Sequence, residues 1–234
     1  MTTGISAHNS AGLICVSVAQ PSVELAVAAA ERLYGQADVI EIRLDALAQP
    51  TVAPFMEKLR TPLLFTHRPQ WEGGMFQGEE AVRGALLLEA ARAGAAYVDL
   101  ELKADTGLRR ELLAAATTTR VILSWHDFDH TPTDRVLATI LARQREGGAH
   151  IGKLVTMAHS WQDVLRVLHL QLAAAAQNFP LIAFCMGTPG VISRLATLEL
   201  GGYMTYAAPD EGAATAPGQW PIATLRRLRA ALRP

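Results

Sequence analysis

Eight short apolar runs alternate with helix-patterned segments along this 234-residue chain, and that alternation restricts its fold more than any other feature. The strand-like runs are Leu13–Val18, Val39–Leu44, Leu63–Thr66, Tyr97–Leu102, Val121–Trp125, Ile151–Val155, Leu181–Phe184 and Tyr203–Tyr206. Helical patterns follow them, for example at Val23–Tyr34, Glu79–Ala93, Thr133–Glu146, Trp161–Gln177 and Ile222–Leu232. Capping residues stand where helices should begin: Pro21-Ser22, Thr131-Pro132 and Ser160. Strand followed by helix, repeated, builds parallel βα units, and eight of them in about 250 residues close into a (β/α)8 TIM barrel. A doubly wound open sheet is the alternative. It carries a glycine-rich nucleotide turn after its first strand, whereas Ala19-Gln20-Pro21-Ser22 stands there. The expectation is a single α/β barrel domain over 1–234, with a flexible N-terminal tail over about 1–11.

Composition narrows the partners. Half of the residues are hydrophobic, enough for a substantial core, yet no apolar run approaches the roughly 18 residues of a membrane span. The start, Met1-Thr2-Thr3-Gly4-Ile5-Ser6-Ala7-His8, does not read as a signal peptide. A net charge of −1 without a basic block argues against nucleic acid or an anionic membrane as the main partner. Cys15 and Cys185 both fall in strand runs without metal-ligand spacing, and read as reduced packing residues of a cytoplasmic protein, with a single disulfide as the alternative. No pair of histidines has a metal-ligand spacing, so no metal is expected. Two long loops follow strands, Pro69–Gly78 and Ala207–Pro221, and in a barrel both lie on the C-terminal face where active sites are built. The second, over about 207–221, is expected to act as a lid.

Strand parity then collects polar residues in one place. Alternate residues of a strand face opposite sides, and the apolar set Ile40, Ile42 and Leu44 must meet the helices, which turns Glu41, Arg43 and Asp45 inward. By the same rule Thr66, Arg68, Asp99, Glu101, Lys103, Ser124, His126, Lys153, Phe184 and Met186 point into the lumen or out of its top. Barrel interiors are ordinarily filled with branched apolar side chains, and buried charges are costly unless paired or functional. Lys153 is one of only three lysines against eighteen arginines, and it interrupts the run Ile151-Gly152-Lys153-Leu154-Val155. Only lysine can lose its proton and attack a carbonyl as an amine. A free lysine has a pKa of about 10.4, so the nearby cations Arg43 and Arg68 are expected to help expose the amine. His126 is the natural general acid/base, with Glu101 or Asp99 accepting its other ring N–H. The arginines, and Arg194 after Ser193 on an early helical turn, suit a substrate carboxylate. Bland readings stand beside these: Glu41 and Arg43 as a structural ion pair, Asp99 as an interior acceptor, Lys153 as a strand-end lysine reaching solvent, and His67 facing outward.

These segments, taken in order, resemble type I 3-dehydroquinate dehydratase over nearly the whole chain. They are Glu41-Ile42-Arg43-Leu44-Asp45, Phe65-Thr66-His67-Arg68 with Glu72-Gly73-Gly74, Tyr97-Val98-Asp99-Leu100-Glu101 and Ser124-Trp125-His126-Asp127-Phe128. After Lys153 come Met186-Gly187, Gly190-Val191-Ile192-Ser193-Arg194-Leu195-Ala196 and Ala216-Pro217-Gly218-Gln219. The resemblance implies a cofactor-free lyase of the shikimate pathway, serving aromatic amino acid biosynthesis, that converts 3-dehydroquinate to 3-dehydroshikimate and water. It implies an imine on Lys153, proton transfer by His126, and Glu101 orienting His126. It also implies substrate contacts from Glu41, Arg43, Arg68, Met186, Arg194, Thr215 and Gln219, and permits a homodimer. Departures from the common family pattern are Asp127 for asparagine, which is expected to raise the pKa of His126, Phe184-Cys185-Met186, Tyr206 for phenylalanine, Thr215 for serine, and Thr156–Ser160. The alternatives are another Schiff-base barrel of the class I aldolase kind and a non-catalytic metabolite-binding barrel.

Overall fold

The computed structural model describes residues 12–209 and 218–232. Eight parallel strands, β1 Leu13–Val18, β2 Val39–Arg43, β3 Leu63–Thr66, β4 Tyr97–Glu101, β5 Arg120–His126, β6 Ile151–Met157, β7 Leu181–Met186 and β8 Met204–Ala207, alternate with helices. The helices are α1 Val23–Glu31, α2 Ala53–Lys58, α3 Glu80–Arg92, α4 Thr106–Ala115, α5 Asp134–Glu146, α6 Trp161–Ala176, α7 Ser193–Glu199 and α8 Ile222–Ala231. The strand order β7-β6-β5-β4-β3-β2-β1-β8 brings the two end strands together, where Tyr203 N–H donates to the Leu181 carbonyl at 2.8 Å. This is the nearly closed TIM barrel expected from the alternation. The expected tail over 1–11, and 210–217 of the expected lid, lie outside the described residues.

Some boundaries moved, for local reasons. Strands β5, β6 and β7 run one or two residues further than their apolar runs, because His126 pairs with Val155 and Met157 with Met186. Helix α1 stops at Glu31 rather than Tyr34: Leu33 N–H bonds the Ala30 carbonyl in a tighter turn, and Gly35 then adopts φ 74°. Ser160 caps α6 in a reciprocal box with Asp163. Thr133, not Thr131, stands at the N-cap position of α5, and its side chain makes no capping bond. The Thr131 hydroxyl bonds Thr156 Oγ1 at 2.8 Å and the Met157 carbonyl at 2.7 Å, tying the loop to β6.

Two apolar layers carry the stability. Outside the sheet, Ile40, Ile42, Leu100, Leu123 and Leu154 pack with helix residues such as Val27, Leu87, Leu112, Leu137 and Val167, each fully buried large side chain contributing about 1.5–3 kcal/mol. Inside, Cys15, Val39, Leu64, Ile122, Ile151, Ile182 and Met204 fill the lower lumen. The Tyr97 and Tyr203 hydroxyls meet at 2.9 Å beneath that filling, and Arg120 lies over the Tyr203 ring. Cys15 belongs to the inner layer and Cys185 to the outer; both are free thiols, so the disulfide alternative falls. Among the described residues no helix is long and apolar enough to cross a membrane. With the lower lumen filled, the polar side chains are confined to the C-terminal end.

Candidate active site

A cavity opens at that end, walled by Glu41, Arg43, Thr66, Arg68, Glu72, Gly73, His126, Phe128, Lys153, Val155, Phe184, Met186, Arg194, Tyr206 and Gln219. The candidate catalytic and substrate-contact residues thus converge, with two exceptions. Glu101 is fully buried behind the wall, and Thr215 lies outside the described residues. Lys103 does not enter the lumen either; it is exposed past the end of β4, 5.8 Å from the centre of the Trp125 ring.

Lys153 is placed by its backbone. Gln144, buried on α5, donates to the carbonyls of Leu123 at 2.9 Å and Lys153 at 2.8 Å, latching β5 to β6. The side chain runs inward and is 5% exposed, so it is not a strand-end lysine reaching solvent. Its Nζ donates to Asp99 Oδ2 and to the Tyr206 hydroxyl, each at 3.0 Å, with Glu41 Oε1 at 3.9 Å. The cations expected to press on Lys153 are themselves neutralised. Arg43 forms a two-pronged pair with Asp45 at 2.9 and 2.5 Å, rather than with Glu41. Arg68 binds Asp99 at 2.9 Å, Glu101 at 2.6 Å and Ser124 Oγ at 2.6 Å. Glu41 is held by the hydroxyls of Ser17 and Thr66. Burial opposes ionisation of Asp99, but Arg68, Lys153 and the Ser124 hydroxyl hold it well below the usual carboxylate range.

The partner of His126 differs from expectation. Both Glu101 oxygens are occupied, one by Arg68 and the other by Arg83 of α3 at 2.5 Å, so Glu101 clamps arginines and does not orient the histidine. Glu72 takes that place. Its Oε1 lies 3.0 Å from the His126 backbone nitrogen and 3.2 Å from Nδ1. Glu72 closes a 3-10 turn, Gln70–Glu72, and the next two glycines make its approach feasible. Gly73 has φ 76° and lies against Phe128, where a Cβ would come within 2.3 Å of the ring. A Cβ on Gly74 would stand 2.0 Å from the Arg68 carbonyl oxygen. Phe128 in turn stacks on His126 at 10° between planes. Sequence reading singled out this loop for its length and its Glu-Gly-Gly triplet, but strand parity has no purchase on a loop residue.

The electrostatics divide the pair. Burial raises Glu72 to about 7, against the pull of Arg68, and its Oε2 is buried without a hydrogen-bond partner among the described residues. Burial, then Arg68 and Lys153, push His126 well below its ordinary value and keep it neutral. The expectation that Asp127 would raise His126 is therefore corrected. Asp127 Oδ1 accepts instead from the backbone N–H groups of Asp129 and His130, at 3.0 and 2.9 Å, and shapes the following turn.

Arg194 stands in the first turn of α7, with its guanidinium 4.4 Å from the centre of the Phe184 ring, which accounts for an aromatic at 184. Burial lowers it to about 10. Ser193 anchors the turn, accepting from Cys185 N–H at 2.8 Å and donating to the Gly190 carbonyl at 2.5 Å, so it is not available for a substrate carboxylate. His67 faces outward as parity requires. It is buried against Phe76 at 4.5 Å, its ring nitrogens have no hydrogen-bond partner among the described residues, and burial lowers it to about 4.

Known proteins are similar to this chain in sequence and in fold. The model of the family "Type I 3-dehydroquinase" matches residues 14–233. The chain is 49% identical over 217 residues to the 3-dehydroquinate dehydratase of Desulfotalea psychrophila, a match that covers 92% of this chain and 96% of that one. Among solved structures, type I 3-dehydroquinate dehydratase from Clostridium difficile superposes with a TM-score of 0.87 at 28% identity, covering 96% of this chain and 93% of that one. The 3-dehydroquinate dehydratase of Geobacillus kaustophilus gives 0.82 at 29% identity, covering 95% and 91%.

Proposed function

The chain belongs to the type I 3-dehydroquinase family and is a 3-dehydroquinate dehydratase, and we propose that it works through an imine on Lys153 with His126 as general acid/base. The observation that carries the reading is the placement of Nζ: a buried amine between Asp99 and Tyr206, in the wall that also presents His126. Lys153, as the neutral amine, adds to the C3 ketone, and loss of water leaves a protonated imine. That cation is an electron sink, so the C2 proton becomes acidic. His126, kept neutral by its surroundings, takes the proton. The resulting enamine expels the C1 hydroxyl, which leaves as water with the proton returned by His126. Hydrolysis of the imine releases the enone and restores the amine.

The other groups divide the remaining work. Glu72 fixes the His126 tautomer with Nδ1 protonated and steadies the imidazolium as it forms, through the 3.2 Å contact. Asp99 is the counterion for Nζ and for the iminium that replaces it. Arg194 and Gln219 line the same cavity and suit the substrate carboxylate, while Arg43 and Glu41 suit its hydroxyls. A cytoplasmic location belongs to the same proposal, supported by two free buried thiols that a reducing compartment preserves. So does a homodimer, which sedimentation of the purified protein would test. Borohydride added with 3-dehydroquinate, followed by peptide mass analysis, tests the chemistry: the adduct is expected at Lys153. An adduct at Lys58 or Lys103, or none from active enzyme, rules the imine reading out.

A further inference from the structure

We propose that Tyr206 is a further catalytic residue, its phenol relaying a proton between the Lys153 nitrogen and the substrate's C3 oxygen as the carbinolamine forms and breaks down. The inference rests on the reading that Lys153 forms the imine.

Tyr206 lies on β8, paired with Cys15 of β1, and its buried side chain spans the lumen to Lys153 on β6. The ring leans on Phe184 at 6.0 Å, and Nζ of Lys153 lies 3.0 Å from the hydroxyl and 4.2 Å from the ring centre. Nζ is the donor in this contact, so the phenol oxygen accepts the hydrogen bond. The phenol's own hydrogen is therefore directed elsewhere. The hydroxyl makes no other hydrogen bond among the described residues, and Tyr206 is part of the cavity wall. A donor in contact with the attacking nitrogen is also in reach of the carbonyl oxygen, since both are bonded to C3 in the adduct.

The other groups in direct contact with Nζ cannot supply this proton. Asp99 is held ionised, and Glu41, at 3.9 Å, has both oxygens occupied as acceptors of the Ser17 and Thr66 hydroxyls. Burial, followed by the charge of Glu41, keeps the Tyr206 phenol protonated. Attack by the neutral amine forms the Nζ–C3 bond and breaks the C3–O π bond, leaving a positive nitrogen and an alkoxide. The phenol gives its proton to the alkoxide and takes one from Nζ. The result is a neutral carbinolamine and an unchanged tyrosine, with no free phenolate. Hydrolysis of the product imine runs the same transfer in reverse.

The test is rapid-quench borohydride trapping with 3-dehydroquinate, comparing the native enzyme with Tyr206→Phe, which keeps the ring against Phe184 and removes only the hydroxyl. The variant is expected to reach the same extent of Lys153 adduct roughly 10²-fold more slowly, with a diminished solvent deuterium isotope effect on that step. Adduct formation at the native rate would overturn the relay while leaving the imine intact. Absence of a Lys153 adduct in the active native enzyme would instead remove the imine reading, and the relay with it. Because Tyr206→Phe loses a buried contact and is open to a folding defect, 3,5-difluorotyrosine at 206 provides a second arm that keeps the hydroxyl and acidifies it. The basic limb of imine formation should move to lower pH; a limb that stays in place counts against the proposal.

Discussion

Replacing Glu72 by glutamine separates the two carboxylates that compete for His126. The substitution keeps an oxygen for the His126 N–H groups, which lie 3.0 and 3.2 Å from Oε1, and removes only the charge. A unit charge 3.2 Å from a forming imidazolium is worth about 5 kcal/mol at an effective dielectric of about 20. The retained hydrogen bond recovers part of that, leaving about 3 kcal/mol, or roughly a 10²-fold fall in kcat. Stability moves the other way. Glu72 rises from 4.5 to about 7 on folding, so between those values the native state binds the extra proton and stability falls as pH rises. Above pH 7 the native carboxylate costs up to about 3 kcal/mol. Glu72→Gln should therefore raise Tm at pH 8 by on the order of 5 °C, with the gain fading toward pH 4.5. In the native enzyme kcat should fall as pH drops below about 7 and Glu72 takes up its proton, and the variant should lack that limb. Glu101→Gln should keep the limb, because its oxygens face Arg68 and Arg83. Steady-state pH profiles and calorimetry of both variants decide the matter. A limb lost in Glu101→Gln and kept in Glu72→Gln would refute the assignment.

Three further outcomes follow from the same network. Arg83→Met strips a fully buried cation from Glu101, which breaking a buried pair makes worth about 3–5 kcal/mol; Tm should drop by roughly 10 °C, and adding Glu101→Gln should restore part of it in a double-mutant cycle. Gly74→Ala drives a Cβ to 2.0 Å from the Arg68 carbonyl oxygen, so the Glu72 loop must move, and kcat should fall at least roughly tenfold with a loss of about 1–3 kcal/mol in denaturant unfolding. Arg194→Gln should raise KM for 3-dehydroquinate by roughly 10–100-fold, the worth of a charge-assisted hydrogen bond, and leave kcat little changed; an unchanged KM removes Arg194 from substrate binding.

Most of the barrel was legible because a closed parallel sheet imposes two simple periods, and the strands obey both. The parity that turned Ile40 and Ile42 outward also placed Glu41, Arg68, His126 and Lys153 on the cavity wall. What parity cannot give is the partner of each charge. Glu101 obeys the inward rule for its strand, yet its carboxylate reaches Arg83, a helix residue. Arg83 left a readable sign: it shares the buried face of α3 with Leu87 and Ala91 at four-residue steps, a cation in an apolar row. Glu72 had a weaker one, a carboxylate before two glycines in a long loop at the catalytic end. Helix ends such as that of α1 depended on hydrogen bonds that composition does not encode.

The two carboxylates nearest the reacting groups show why environment, more than residue type, assigns the roles. Asp99 and Glu72 are both buried and both lie near Arg68. Asp99 receives Arg68 at 2.9 Å, Nζ of Lys153 at 3.0 Å and the Ser124 hydroxyl at 2.6 Å, so its charge is fully compensated and it stays ionised. Such a group is a fixed counterion, suited to the iminium cation that forms at Nζ. Glu72 has one oxygen on His126 and the other without a partner among the described residues, and it titrates near 7. Pairs of groups pushed apart in this way mark the division between permanent charge and proton traffic. Lys153 accordingly sits beside the carboxylate that cannot take its proton, and His126 beside the one that can share it. Exchanging the two side chains as Asp99→Glu with Glu72→Asp would preserve the site's formal charge but place neither carboxylate at its partner's distance, and borohydride trapping should then lose the Lys153 adduct along with turnover.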